Sequence, residues 1–349
     1  MKKYLAWILA LTMVFSMTAC GEKKTEAPAP QTETPAETQT PEEPFEFPAK
    51  KVALHIASAA GGGFDLTGRC FTTEWGEALG TTFEYVYHDS NSCYMECVNE
   101  LNSVRKGEYA LMLGFDEALQ AMFQFNDTPF TRDQVAVIGG VYSDVNVVMA
   151  RIDDDRFNNM DDLFAYAKTA EKPITISTPS PLTPANMNAT ILVAASGMNA
   201  NVVAYSGGSG ARNDLLGGHV DLSVGSLETA NNIRDQVKVL GILSDAVKAP
   251  EHFASAQLIS EFADFEMPDL SSHCYIYCSS KLVEEEPEVY NALVSTLEEV
   301  LMDNADVEVK LAEINRADGF VSAEQATAQS DAVAGALVKY ADLLDPKLQ

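Results

Sequence analysis

Short apolar runs alternate with stretches of helical spacing from Lys51 to the end of the chain. KVALHIAS sets apolar residues at every second position and predicts a strand, whereas DLTGRCFTTEWGEALG sets them three and four apart and predicts a helix ending at Gly80. TTFEYVYH, YALMLGF, PITIST, NANVVAYS and VKVLGILS read as further strands, and QVAVIGGVYSDVNVVMAR holds two β-rich runs. Helical spacing returns in SCYMECVNELNSVRKG, with Gly107 just past its end, in NMDDLFAYAKTAEK and in TPANMNATILVAASG. SGARNDLLGGHVDLSVG predicts a helix closed by Gly217 and Gly218 and then a strand. After a looser region HCYIYCSS is the last clear strand, and everything from about Pro287 is helical. Alternating strands and helices predict α/β layers around largely parallel sheets, and this many elements divide more readily into two lobes than into one sheet.

The first 47 residues break the pattern. Two lysines, an apolar run from Tyr4 to about Val14 and small residues before Cys20 form an export signal, too short for a stable membrane span. Met17-Thr18-Ala19-Cys20 is similar to the lipobox of bacterial lipoproteins, which implies a signal peptide at 1–19 and lipidation of Cys20. The alternative is an ordinary secretory signal cleaved nearby. Residues 20–47 are rich in Pro, Glu and Thr, hold almost nothing to bury, and predict an extended tether.

The formal net charge is −28 and no basic stripe offsets it, which argues against nucleic acid as a partner. Such a field also disfavours anions at long range, so any anion site must be built from local dipoles and hydrogen bonds. Six cysteines are present, and lipidation of Cys20 leaves Cys70, Cys93, Cys97, Cys274 and Cys278, an odd number. On a strand Cys274 and Cys278 lie about 13 Å apart at about 3.3 Å per residue, too far for a bridge between them. Buried or free thiols, a long-range disulfide, and a metal site using His273 are the readings open to the set. The spacing fits no familiar zinc module.

Three strand-to-helix junctions could carry chemistry. AAGGGFDLTGR, residues 59–69, puts three glycines and Asp65 where a helix begins. Unpaired first-turn N–H groups and bare backbone there suit a carboxylate or phosphate, while the plain alternative is a turn with Asp65 as its cap. Neither a Walker motif nor a dinucleotide fingerprint is present. ITISTPSPLTPANMN, residues 174–188, offers the hydroxyls of Ser177, Thr178, Ser180 and Thr183 among three prolines, or else a rigid capped turn. VAYSGGSGARNDLLGGHVDLSVGS, residues 203–226, leads through SGGSG into a helix with Arg212 in its first turn. Ser209 has Ala211 where a nucleophile elbow needs glycine, and no His-Asp constellation accompanies it.

With these residues in view, the span from about Lys51 to Gly319 resembles the extracytoplasmic solute-binding receptors of tripartite tricarboxylate transporters. VAYSGGSGARNDLLGGHVDL looks like that family's V-P-Y-x-G-x-x-x-A-x-x-D-L-L-G-G-H-V-D signature, and AAGGGFDLTGR is similar to its A-A-G-G-x-x-D-x-x-A-R, with Gly68 where Ala is usual. The resemblance implies a two-lobed periplasmic-binding-protein-like fold of type II, each lobe a largely parallel sheet flanked by helices, joined by crossing strands. Lobe 1 is then 48–146 with 247–349, and lobe 2 is 147–246. It implies a small carboxylate as ligand, gripped by backbone amides of the first two loops, and membrane transporter subunits as partners. Two departures stand out: HDSNSCY, residues 88–94, lacks the family's glycines, and STPSPLTP replaces a glycine-bearing loop with hydroxyls. The ligand could therefore be smaller, less charged, or an amino or hydroxy acid.

The candidate contacts are Ala60, Gly61, Gly62, Gly63, Phe64 and Asp65 in the first loop; Thr178, Ser180 and Thr183 in the second; Ser206 and Gly207 in the third; and Gly225 and Ser226 at a strand end aimed at the cleft. Arg69 and Arg212 either pair with a ligand carboxylate or support their loops. His55 and His219 read as structural, and Glu284 to Glu288 as a solvated helix start. No catalytic residue, cofactor or metal is called for. The expected protein is a monomeric, lipid-anchored receptor outside the cell membrane that closes on its solute; the rivals are a sensor of the same fold and an exported hydrolase using Asp65 with water.

Overall fold

The computed structural model describes residues 45–349, apart from 91, 206, 245–249, 263–266, 317–318, 346 and 348–349. The expected export signal, Cys20 and most of the tether lie outside the described residues. Burial nevertheless reaches into the expected tether, because Phe47 is 3% exposed and packs on Tyr109 at 5.4 Å between ring centroids.

In chain order the elements are β1 (Lys51–Ile56), α1 (Gly63–Leu79), β2 (Thr82–Tyr87), α2 (Cys93–Ser103), β3 (Ala110–Phe115), α3 (Asp116–Phe125) and β4 (Val135–Asp144). There follow β5 (Asn146–Arg151), α4 (Met160–Thr169), β6 (Ile174–Thr178), α5 (Pro184–Ser196), β7 (Ala200–Ala204), α6 (Gly208–Leu216), β8 (Leu222–Ser226), α7 (Leu227–Asn232), β9 (Val237–Ile242) and β10 (Gln257–Leu258). The chain ends with β11 (Ser272–Ser279), α8 (Ser280–Glu285), α9 (Pro287–Asp303), α10 (Ala305–Glu313), α11 (Ala323–Lys339) and α12 (Ala341–Leu344).

Two sheets result, ordered β2-β1-β3-β11-β4 and β10-β9-β5-β8-β6-β7. Each is parallel except for one strand. β11 runs against both β3 and β4, and β5 runs against both β8 and β9. These are the strands by which the chain enters a lobe from the other one rather than over a helix, and only the helical crossover enforces parallel pairing. Only Val145 separates β4 from β5, and there the chain passes from the first sheet to the second. The return is later than expected. Because β10 pairs with β9, the second sheet continues beyond residue 246 to Leu258 before the chain comes back as β11.

The first lobe's core gathers Leu54, Ile56, Trp75, Leu113, Tyr275 and Leu297. The second sheet is buried on both faces: Val148, Ile176 and Leu222 look one way, Val147, Met149 and Ile242 the other. That double burial is why β5 reads as a continuous apolar run. A further cluster joins Phe125 of α3 and Leu337 of α11 to Met187 and Ile191 of α5, so the lobes share an apolar contact. Among the described residues no helix is long and apolar enough to cross a membrane.

Candidate ligand cleft

A cavity of about 220 Å³ lies where the C-terminal end of β8 and the first turns of α5 and α6 face Phe115, Tyr142, Ser272 and Arg316 of the first lobe. Strand ends of both sheets meet there, as in open α/β folds generally. Its charged lining is Asp144, Arg212, Glu228 and Arg316. A pocket of about 410 Å³ lined by Arg105, Lys106 and Lys281 belongs to the first lobe alone, so occupying it would not draw the lobes together.

Arg316 is the residue that sequence reasoning missed. It follows α10 directly after Asn315, whose φ of 57° turns the chain, and its N–H bonds the Leu311 carbonyl at 2.8 Å. Its side chain, 10% exposed, donates to the Gly63 carbonyl at 2.6 Å and to the Thr67 hydroxyl. It also lies 3.4 Å from a Glu228 carboxylate oxygen and stacks over Tyr142 with 4.3 Å to the ring centroid. One guanidinium thus ties the first loop to both sides of the cleft. Its Nε is buried without a partner. No motif surrounds it in INRADG, and nothing local signals the role.

The first loop reaches the cavity through intermediaries. None of Ala60, Gly61, Gly62, Gly63, Phe64 or Asp65 lines it. Phe64 packs edge-on against Phe115 at 4.7 Å, and Phe115 forms the wall. Gly63 leaves room for Arg316, since a Cβ there would sit 3.0 Å from its Nη2. Gly61 takes a φ of 76°, which glycine adopts without strain. Asp65 is spent on the loop itself: it accepts from the Gly61 N–H at 2.7 Å and the Tyr87 hydroxyl at 2.9 Å, and pairs with Arg69 at 2.8 Å. Burial works against its charge, yet the Gly61 amide, Tyr87 and Arg69 outweigh it and hold the carboxyl below its usual range. A carboxylate so engaged cannot serve as the hydrolytic group of the rival reading. Arg69 supports this loop, donating also to Tyr87 at 2.9 Å.

The second loop's hydroxyls are also turned inward. Ser180 donates to the Pro179 carbonyl at 2.7 Å and Thr183 to the Ser180 carbonyl at 2.8 Å. Thr178, fully buried, accepts from Asn186 at 3.0 Å. In this conformation the Ser180 and Thr183 hydroxyls donate within their own turn, whereas the Thr178 hydroxyl only accepts. Thr183 lines the cavity, whereas Thr178 and Ser180 do not. Ser180 and Thr183 also border a second crevice of about 560 Å³, shared with Tyr94 and Met122 across the lobes.

In the third loop Ser206 lies outside the described residues. The Gly207 N–H donates to the Pro179 carbonyl at 2.7 Å, so its amide is used, while the next residue, Gly208, lines the cavity. Gly225 and Ser226 line it as well. The Ser226 oxygen accepts from the Thr229 N–H at 3.1 Å and so caps α7. Arg212 lines the cavity and makes no hydrogen bond or ion pair among the described residues. Asp144 accepts a long bond from the Glu228 N–H at 3.4 Å. Burial, then the neighbouring Glu228, pushes its carboxyl up to about 6.

His55 stacks on His88, their nitrogens 2.9 Å apart, away from the cavity. All five cysteines among the described residues are free thiols. Burial pushes the Cys278 thiol up to about 12, so it behaves as a small apolar group.

Residues 98–270 match the family described as the tripartite tricarboxylate transporter family receptor, TctC. Among solved structures, a TctC solute-binding protein from Polaromonas without ligand superposes with a TM-score of 0.67 at 18% identity, covering 84% of this chain and 99% of its own. Rpa4515 of R. palustris, solved with adipate, gives 0.69 at 16% identity, covering 86% and 98%. MatC of Rhodopseudomonas palustris with bound malate gives 0.63 at 14%, covering 84% and 99%. Identities this low establish a common fold. A search among curated proteins finds no match.

Proposed function

We propose, from the premise that this chain belongs to the tripartite tricarboxylate transporter receptor family, that it is a lipid-anchored extracytoplasmic protein which captures a small organic acid between its lobes and delivers it to the transporter's membrane subunits. The observation that carries the reading is the cavity between the lobes, lined from both and holding in Arg212 a guanidinium without a partner among the described residues. A ligand carboxylate paired there would gain a charge-assisted contact that costs the protein no existing bond. The amide ends of α6, beginning at Gly208, lie on the same wall and favour negative charge. At about 220 Å³ the space is below the 300 to 1,000 Å³ or so of drug-sized ligand sites, which suits a small solute.

Closure is the mechanism. A solute that touches Thr183, Gly225 and Ser226 on one lobe and Tyr142 or Arg316 on the other binds the closed arrangement better than an open one, and shifts the population by that difference. The first loop contributes through Arg316 and Phe115, which it positions. Lipidation at Cys20 and the tether of residues 21–47 would hold the body near its membrane partners.

The test is thermal unfolding of the purified full chain against mono-, di- and tricarboxylates, aromatic acids and amino acids. A ligand at about 100 times its Kd adds about 2.7 kcal/mol, enough to raise Tm by several degrees. Selective stabilisation by an acid that is not consumed is the expected result. No shift with any acid, in protein freed of carried-over solute, would refute the assignment.

A further inference from the structure

The charges of the cleft divide unequally between those that have found each other and those that have not. Glu228 and Arg316 face one another at 3.4 Å across the lobes. Arg212 and Asp144 remain, one cation and one anion on the lining of the same cavity. Arg212 has no bonded partner among the described residues. Asp144 has the long contact from the Glu228 N–H, a bond from the Ser226 hydroxyl and the more distant attraction of Arg316, but no ion pair, and it stands close enough to Glu228 to feel its repulsion.

Building on the carboxylate-receptor reading, we infer that the solute is a small zwitterion, its carboxylate placed at Arg212 and an ammonium group at Asp144 beside Glu228. The four formally charged side chains lining the cavity, Asp144, Arg212, Glu228 and Arg316, sum to no net charge, which suits a solute with separated charges of both signs. A simple dicarboxylate would bring its second carboxylate into a space that already holds Asp144 and Glu228, and like charges at close range in a partly dry cleft repel strongly. An ammonium there meets two carboxylates and offsets both the burial of the Asp144 carboxylate and its repulsion by Glu228.

The deciding experiment titrates the full chain with matched pairs that differ in the amine: L-aspartate and succinate, L-glutamate and glutarate, L-alanine and propionate. In at least one pair the amino acid is expected to bind at least tenfold tighter. Asp144→Asn should remove most of that preference, weakening the amino acid and, in the dicarboxylate pairs, strengthening succinate or glutarate, and Glu228→Gln should reduce it. Equal or tighter binding of the des-amino member in every pair overturns the zwitterion while leaving a carboxylate receptor standing. Binding of no member of any pair overturns it too, and only silence across the whole acid panel also removes the receptor reading. An amine preference that survives intact in folded Asp144→Asn and Glu228→Gln overturns the placement of the ammonium. The paired titrations use the unaltered protein, so they decide the question even if a variant does not fold.

Discussion

Asp65 exposes how little a side chain's chemistry says before its partners are known. A carboxylate behind three glycines suits a ligand site, yet here it holds the Gly61 amide, the Tyr87 hydroxyl and Arg69. Asp65→Asn keeps the shape and removes the charge, so it should cost about 1.5–3 kcal/mol, the worth of hydrogen bonds to a charged group, read as a lower urea midpoint with unchanged slope. Arg69 would contribute little of that, its side chain being 58% exposed. His273 and Glu117 form a second buried pair, 2.5 Å apart, with the His273 N–H also donating to Glu117 at 3.1 Å. His273→Gln strands the Glu117 carboxylate and should cost about 3–5 kcal/mol by the same measurement. Neither Glu117 nor Arg316 could be read from the sequence as important, because their partners lie 156 and up to 253 residues away along the chain.

Elements were more legible than residues. Strand and helix periods are local properties, so nearly every element from β1 to β9 appears in the pattern of apolar positions. The helix α3 does not. Its first turn puts Asp116 and Glu117 at 0% exposure and Gln120 is buried too, so polar residues share the buried face with Leu119, Met122 and Phe125. Burial there is made tolerable by bonds from Tyr277 and Ser330 to Asp116 and from His273 to Glu117. Helix α2 stops at Ser103, short of Gly107, which turns the chain afterwards with a φ of 83°. At the end of α1 the requirement is space. A Cβ on Gly76 would lie 2.7 Å from the Thr81 carbonyl, which returns as β2. Gly76→Ala should therefore destabilise by about 1–3 kcal/mol through overpacking, although alanine favours helices, and a melting curve above wild type would contradict this.

For the molecule as a whole, two histidines bracket the pH range of greatest stability. Burial opposes the charge of His273, but Glu117 outweighs it and raises the pKa to about 9. The stability this contributes is whole below the ordinary value near 6.5 and is lost as pH rises through about 9. Burial, then His88, lowers His55 to about 4, so its contribution is whole above 6.5 and lost as pH falls through about 4. Urea midpoints taken from pH 4 to 9.5 should fall at both ends, and the alkaline decline should shrink in His273→Gln. The shared apolar contact between lobes bears on motion as well as stability. Leu337, fully buried on α11 with Met187 and Ile191 of α5, anchors one side of any hinge. Leu337→Ala should cost about 2–5 kcal/mol.

By itself the sequence determined the alternation of strands and helices, the glycine-led junctions and the likeness to a two-lobed receptor. Each of these rests on spacing within a few tens of residues, where backbone geometry alone decides. The tertiary structure decided which polar groups remain available for a solute. Every donor and acceptor has a small capacity, and Asp65, Ser180 and Thr183 have spent theirs at home while Arg212 has not. It also decided that Arg316 enters the cleft and that β10 belongs to the second sheet. Those outcomes depend on distances closed by the packing of remote segments, and no periodicity along the chain encodes such distances.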